Sequence, residues 1–412
     1  MSSTFIAPKS VRLQIGVFGR RNVGKSSTLN ALTRQDFAIV SSVPGTTTDP
    51  IEKAMELAPL GPVLLIDSAG VDDEGTLGAE RVARTRRVFD RVDVGLIVVD
   101  STLGADAWGA FEEEIADELA RRAVASLVVW NKVDASAPAS EAVEAVRKRS
   151  LPSVEISALG DADGKSGSPK IREALTRLAP EEFFAAPPLV ADLIPKGEFA
   201  VLVAPIDAAA PKGRLILPQV QTIRDLLDGE SGCVVVRPEL LSAALDRFKS
   251  PPALVVVDSQ AFKTVAEIVP RSIPLTSFSI LFARRQADLR TAVDGARRIA
   301  ELSPDSRVLI AEACSHHATD DDIGTAKLPR WLRVRVGATL RIERAQGRDF
   351  PTVDELRRFD LIIHCGACSL NRREMLARLG RAAEAGVPTT NYGTAIAFLN
   401  GILERAVEPF GL

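Results

Sequence analysis

The chain has 412 residues, 46% of them hydrophobic, and a formal charge of −3, which suits two to four domains with sizeable cores. The near-neutral charge gives no sign of a nucleic-acid-binding surface, and no apolar run approaches the roughly 18 residues of a membrane span. The opening MSSTFIAPKSVRLQIGVFGR lacks the apolar core of a signal peptide, and four cysteines without a paired pattern fit a reducing compartment, so a cytoplasmic protein is expected.

Residues 11–18, VRLQIGVF, predict a buried strand. GRRNVGKS follows over 19–26, and SSTLNALTRQ then predicts a helix. This is G-x-x-x-x-G-K-S with a strand before it and a helix after it, the context that a phosphate-binding loop requires. Gly19 and Gly24 let backbone N–H groups turn inward around phosphate oxygens, and Asn22, Val23 and Ser27 belong to the same nucleotide-binding set. Lys25 supplies a point charge at the β and γ phosphates, and the Ser26 hydroxyl is offered to Mg²⁺. PGTTTD over 44–49 places Thr47 where it can reach Mg²⁺ and report on the γ-phosphate. VLLI then runs into DSAG over 67–70. Asp67 is expected to hold the water shell of Mg²⁺ and Gly70 to give a backbone N–H to the γ-phosphate, so Lys25, Thr47 and Gly70 form the expected catalytic set. VDDEGTLG over 71–78 predicts a switch segment that orders with the triphosphate.

VGLIVVD (94–100) and ASLVVW (125–130) are continuous apolar runs, as in a parallel sheet covered on both faces. The second leads into NKVD, where the Asp134 carboxylate can accept from N1–H and the 2-amino group of guanine while adenine presents the wrong pattern. Asn131 and Lys132 belong to this base-binding motif, and Ser157 and Ala158 add a backbone contact to the base. Each short motif is weak by itself, but five in order, each after a strand, predict a GTP-binding domain over 1–180.

This order resembles the translation-factor-related GTPases of the Era and MnmE type over residues 11–180. The resemblance implies that Asn22 marks activation by a potassium ion beside the phosphates. Val71 stands where Ras-like proteins carry a water-orienting glutamine, so unassisted turnover on the order of 10⁻⁴ to 10⁻² per second is expected, which suits a switch.

APEEFFAAPPLV (179–190) predicts a linker. Residues 188–272 then alternate strand and helix and predict a small α/β domain whose expected use is dimerisation. Lys212, Arg214, Gln219 and Gln221 there read as a solvated edge or a subunit contact, and Cys233 reads as a small apolar residue entering a strand.

The last domain, 273–412, opens with SILFARRQADLRTAVDGARRIAEL, whose apolar spacing predicts one long amphipathic helix. RVLIAEA and FDLIIH predict two strands. Cys314 follows the first, Cys365 and Cys368 follow the second, and Ser369 or Asn371 is placed to cap the helix after them. Three of the four cysteines and all three histidines fall in CSHH (314–317) and HCGAC (364–368), with 47 residues between His316 and His364. Soft ligands placed only for packing would not bunch in this way. If the two strands are neighbours, both stretches converge at the carboxyl edge of one parallel sheet. Three sulfurs and an imidazole suit a tetrahedral zinc, and three thiolates with one replaceable ligand suit an iron–sulfur cube. The aspartates at 320–322 read as a polar loop, with a carboxylate ligand as the minority reading.

A GTPase, a middle domain and C-x-H-x₄₇-H-C-x-x-C together resemble the FeFe-hydrogenase maturation GTPases over essentially the whole chain. The resemblance implies a 4Fe–4S cluster on Cys314, Cys365 and Cys368, with His316, His364 or a nearby carboxylate as candidate for an exchangeable fourth position. It implies a dimer and a scaffold role, in which a two-iron precursor bearing CO and cyanide passes from radical-SAM maturases to apo FeFe-hydrogenase. The expected fold is α/β: a P-loop GTPase domain followed by two smaller α/β domains with largely parallel sheets. Two other readings remain open on sequence: a ribosome- or RNA-associated GTPase with a structural zinc, and a metal-storage protein with a vestigial GTPase.

Overall fold

The computed structural model describes residues 8–33, 51–67, 87–160, 168–184, 187–206, 215–313, 322–347 and 349–412. The chain forms two compact units, 1–186 and 187–412.

The first unit is built on a six-stranded sheet in the order β2-β3-β1-β4-β5-β6. Its strands are β1 (Leu13–Phe18), β2 (Ile51–Leu57), β3 (Gly61–Asp67), β4 (Val94–Asp100), β5 (Ala125–Asn131) and β6 (Ser153–Glu155). All neighbours run parallel except β2, which pairs antiparallel with β3 at the edge. Helices α1 (Lys25–Thr33), α2 (Ala110–Arg121), α3 (Ser140–Lys148) and α4 (Ser168–Leu178) follow strands in alternation. The apolar strands bury both faces. Leu13, Ile15 and Val17 join one core with Leu29 and Leu175, while Phe18, Ile97 and Val99 join the other with Leu119 and Trp130. Strand β2 was not expected, because IEKAMEL carries three charged residues and no β-branched residue after Ile51. Glu52 on it is bonded by Lys9 at 2.6 Å and by the buried Arg91 at 2.7 Å, which fixes the edge electrostatically.

The second unit carries two four-stranded parallel sheets, ordered β10-β9-β7-β8 and β12-β11-β13-β14. The first sheet comprises β7 (Phe199–Val203), β8 (Gly232–Val236), β9 (Leu254–Val257) and β10 (Leu275–Ser277), with α5 (Leu217–Asp228) and α6 (Phe262–Ile268) between strands. The segment 279–302 is not the single helix expected from its apolar spacing. It splits into α7 (Phe278–Gln286) and α8 (Leu289–Arg297), because the Asp288 side chain accepts from the N–H groups of Arg290 (3.3 Å) and Thr291 (3.0 Å) and starts a new helix. The break lets α7 pack on the first sheet through Phe278, Leu281 and Phe282. Helix α8 lies so close to the second sheet that a Cβ on Gly295 would stand 1.9 Å from the Thr389 carbonyl oxygen.

The second sheet comprises β11 (Arg307–Glu312), β12 (Arg341–Gln346), β13 (Leu361–His364) and β14 (Thr389–Asn391). Helices α9 (Leu328–Val336), α10 (Arg372–Glu384), α11 (Tyr392–Leu399) and α12 (Leu403–Val407) complete the unit. The C-terminal segment returns to the first sheet: Leu403, Ala406 and Val407 share a core with Val201, Val203, Val255 and Val257. Among the described residues no helix is long and apolar enough to cross a membrane.

Candidate functional site

The phosphate loop joins β1 to α1 through three left-handed residues, Gly19 (φ +144°), Asn22 (φ +63°) and Gly24 (φ +92°). A Cβ on Gly24 would stand 2.2 Å from Nδ2 of Asn131, so only glycine fits there. The reason is a tether between strands. Asn131 Nδ2 donates to the Val23 carbonyl at 2.8 Å, and its Oδ1 accepts from Ala158 N–H at 3.0 Å. The base-binding motif, the phosphate loop and the segment after β6 are thereby locked together.

Lys25 Nζ donates to the carbonyls of Gly19 (2.6 Å) and Arg20 (2.7 Å), which holds the ammonium over the loop. The Thr28 N–H bonds the Gly24 carbonyl at 2.8 Å, so Ser26 and Ser27 lie in the first turn of α1. Arg20 is drawn aside by the buried Glu112, at 2.6 Å. Lys132 pairs with Asp100 and donates to the Asn22 carbonyl at 3.0 Å. Burial acts to raise the Asp100 pKa, but hydrogen bonds from Lys132 and Thr102 outweigh it and hold the carboxyl below its usual range. Asp67 is buried at the carboxyl end of β3, whereas Asp134 is exposed beyond β5. Ser157 lies in the loop after β6, its Oγ buried and without a hydrogen-bond partner. Thr47, Gly70, Val71 and the segment 71–78 lie outside the described residues.

In the second unit β11 and β13 are direct neighbours, with Ala311 opposite His364. The Cys365 N–H bonds the Ala311 carbonyl at 2.8 Å, and the Ala313 N–H donates to Cys365 Sγ at 3.1 Å. The residue before Cys314 and the first cysteine of HCGAC therefore meet at one sheet edge. Cys368 sits one turn on, after Ala367, whose φ is +51°. Burial pushes the Cys368 thiol up, against the N–H groups of Cys368 and Ser369, which act to lower it. Asn371, not Ser369, caps α10: its side chain accepts from the Glu374 N–H at 3.1 Å.

His364 is buried. Its Nδ1 lies 2.9 Å from the Cys365 carbonyl oxygen and its Nε2 lies 3.2 Å from Nη1 of Arg378. Burial first, and the Arg378 charge second, push its pKa down to about 3, although the bond to Cys365 acts the other way. Across the sheet, Glu312 and Tyr392 converge on Gly324, where a Cβ would stand 2.3 Å from an oxygen of each. Burial, then the nearby Glu312, raises the Tyr392 pKa well above the ordinary phenol value. The sequence reading missed this pair, because Glu312 and Tyr392 lie on β11 and α11, far apart in the chain.

Cys314, His316, His317, Asp320 and Asp321 lie outside the described residues, as do Lys212 and Arg214. Among the described residues no group of three or more His, Cys, Asp and Glu side chains is arranged to hold a metal ion. Of the expected donors, Cys365 lies just past the end of β13 with its sulfur already accepting a backbone N–H, chemistry that fits an iron–sulfur group. Of the middle-segment residues, Gln219 is buried, not solvated; its Oε1 accepts from the Ile216 N–H at 3.1 Å at the start of α5. Gln221 faces Arg285.

Three family models match the chain. One described as the hydrogen maturase F dimerization domain covers residues 189–287, and one described as the hydrogen maturase F tetramerization domain covers 290–409. The division between them falls at the Asp288 cap that separates α7 from α8. The third, described as a 50S ribosome-binding GTPase, covers 14–132. Among curated relatives, GTPase Der of Chloroflexus aurantiacus is 40% identical over 136 residues, 32% of this chain and 29% of its own length. The tRNA modification GTPase MnmE of a Synechococcus strain is 35% identical over 170 residues, 40% of this chain and 34% of its own length. The chain thus spans about a third or less of these relatives. Among solved structures, Era of Aquifex aeolicus bound to GDP·AlF4⁻ is 25% identical, with a TM-score of 0.34, over 41% of this chain and 57% of that one.

Proposed function

The chain belongs to the hydrogen maturase F family, and from that premise we propose that it is a GTP-hydrolysing scaffold for the two-iron centre of FeFe-hydrogenase. In this reading it binds a 4Fe–4S cluster through Cys314, Cys365 and Cys368. It receives a two-iron precursor bearing CO and cyanide from radical-SAM maturases and delivers it to apo-hydrogenase. The observation that carries the proposal is the Ala313 N–H on Cys365 Sγ, which supports convergence of the two cysteine stretches at the carboxyl edge of β11 and β13. The bound cluster would supply an iron with an exchangeable position, to which a cyanide-bearing unit can bridge. A zinc closed by four protein ligands offers no such position.

The chain's own residues divide the remaining work. Backbone N–H groups of Gly24, Lys25 and Ser26 cradle phosphate oxygens, and Lys25 neutralises charge at the β and γ phosphates. Ser26, Thr47 and Asp67 would hold Mg²⁺ directly or through water, and Asn22 would face an activating potassium ion. Asp134 selects guanine. Val71 offers no polar group to orient the attacking water, so slow hydrolysis follows. GTP state acts on partner affinity through the 71–78 segment and leaves the iron chemistry alone. Comparing partner affinity with GTP and with GDP tests this, and equal values would sink it.

Oligomerisation through 189–287, with a further contact through 290–409, is supported by the descriptions of the two matching family models. A three-part division, 1–180, 188–272 and 273–412, a homodimer as the minimal assembly and a cytoplasmic location belong to the same proposal. The alternative reading as a ribosome-associated GTPase with a structural zinc has only the model over 14–132 behind it. It leaves both maturase matches unused.

A further inference from the structure

We propose that His364 and Arg378 are a positioning pair that pins the turn carrying Cys365 and Cys368, with His364 held away from the metal. The inference rests on the reading that these cysteines hold a cluster.

Three observations carry it. A carbonyl oxygen only accepts, so the 2.9 Å contact to the Cys365 oxygen fixes the proton on His364 Nδ1. A guanidinium only donates, so the 3.2 Å contact from Arg378 uses the lone pair of Nε2. Both ring nitrogens are committed, and a metal could reach Nε2 only by displacing Arg378. That residue is 2% exposed and also donates to the Gly347 carbonyl at 2.7 Å and to Glu374 at 3.4 Å.

Strand alternation points the same way. Ile362 and His364 share the face packed on Phe350, whose ring centroid is 6.1 Å from the imidazole and 5.3 Å from the Arg378 guanidinium carbon. Ile363 and Cys365 share the opposite face, packed with Tyr392 and Leu328. The histidine and the cysteine beside it therefore serve opposite sides of one sheet.

The turn needs an external hold. Ala367 is left-handed at φ +51°, a conformation that a residue with a Cβ does not prefer. The chain Gly347–Arg378–His364–Cys365 joins the end of β12, helix α10 and the first peptide of the turn. It fixes the direction in which the Cys365 and Cys368 sulfurs leave the backbone.

The test uses the full chain reconstituted anaerobically with iron and sulfide. Three quantities are read: iron loss to a ferrous chelator, nitrogen couplings of the reduced cluster by pulsed EPR, and far-UV circular dichroism as a fold control. His364→Leu, which lacks the donor, and Arg378→Met should lose iron about 10- to 100-fold faster than wild type. His364→Asn, whose amide N–H replaces Nδ1–H but whose side chain falls short of Arg378, should lose iron more slowly than His364→Leu, with unchanged nitrogen couplings. Folded His364→Leu and Arg378→Met variants that lose iron at the wild-type rate would overturn the proposal. So would a nitrogen coupling that is present in wild type and absent in His364→Asn, even where the other two variants fail to fold. Wild-type protein that takes up no iron would fail the cluster reading itself, a distinguishable result.

Discussion

The backbone N–H of Ala313 points at the sulfur of Cys365 from 3.1 Å, across two neighbouring parallel strands. Ala313, the residue before the first cysteine stretch, and Cys365, in the second, are thereby brought to one edge. Hydrogen bonds from N–H to sulfur stabilise thiolate over thiol, which is the form a metal needs. The prediction is direct: Cys365→Ser removes the iron–sulfur chromophore while the GTP hydrolysis rate stays at the wild-type value. Visible absorption and phosphate release on the same preparation check it, and a variant that keeps its colour would remove Cys365 from the ligand set.

Asp134 lies exposed past the end of β5, while Asn131 beside it is tied into the phosphate loop at 2.8 Å. On the proposed reading Asp134 is the carboxylate that reads the base. Asp134→Asn should weaken GTP by about 10²- to 10⁴-fold, the loss of two charge-assisted hydrogen bonds. The carboxamide can instead donate to the 2-oxo group of xanthine, so xanthosine nucleotides should bind more tightly to the variant than to wild type. Titration with both nucleotides decides the point. Unchanged guanine preference would assign base selection elsewhere.

Asn22 holds a left-handed conformation at φ +63°, and its carbonyl is taken by Lys132 at 3.0 Å. Its side chain remains the group through which a monovalent cation beside the phosphates would be held. Hydrolysis should run about tenfold faster in potassium than in sodium, equivalent to ~1.4 kcal/mol off the barrier, and Asn22→Ser should flatten the difference. Equal rates of wild type in the two salts would end the potassium assignment.

His364 is neutral and buried in the folded chain, with its pKa pushed down to about 3 from 6.5. Between those values the unfolded chain binds a proton that the folded chain does not, so stability rises with pH. The contribution is complete above about pH 6.5 and is lost as pH falls towards 3. From pH 6.5 to 5 the metal-free protein should lose ~2 kcal/mol that His364→Asn does not lose. Urea midpoints of the two proteins at both pH values measure it. Parallel pH slopes would mean that the imidazole is protonated in place.

Much of this was legible in the sequence, for identifiable reasons. GRRNVGKS stood between a strand and a helix, and β4 and β5 are continuous apolar runs because both faces of the sheet are covered. Strands β11 and β13 were legible as apolar segments that run into cysteine stretches, whereas their pairing stood in the sequence only as a condition and is given by the fold. What escaped had a weak local signal or none. RIERAQ is an edge strand, LTS is three residues long, and β2 is held by ion pairs at the rim. The Asp288 cap was hidden by apolar spacing that continues through it, although ADLRT carries an N-cap residue in place. The pairing of His364 with Arg378, a strand end and a helix 14 positions later, is fixed only by tertiary packing.

On the proposed reading the three C-terminal cysteines grip iron with one position left for cargo. Metal and sulfide analysis of anaerobically reconstituted full-length protein tests it most directly, read with the visible spectrum. Brown protein with about four iron and four sulfide per chain is expected. Colourless protein whose tightly held metal is zinc would contradict it.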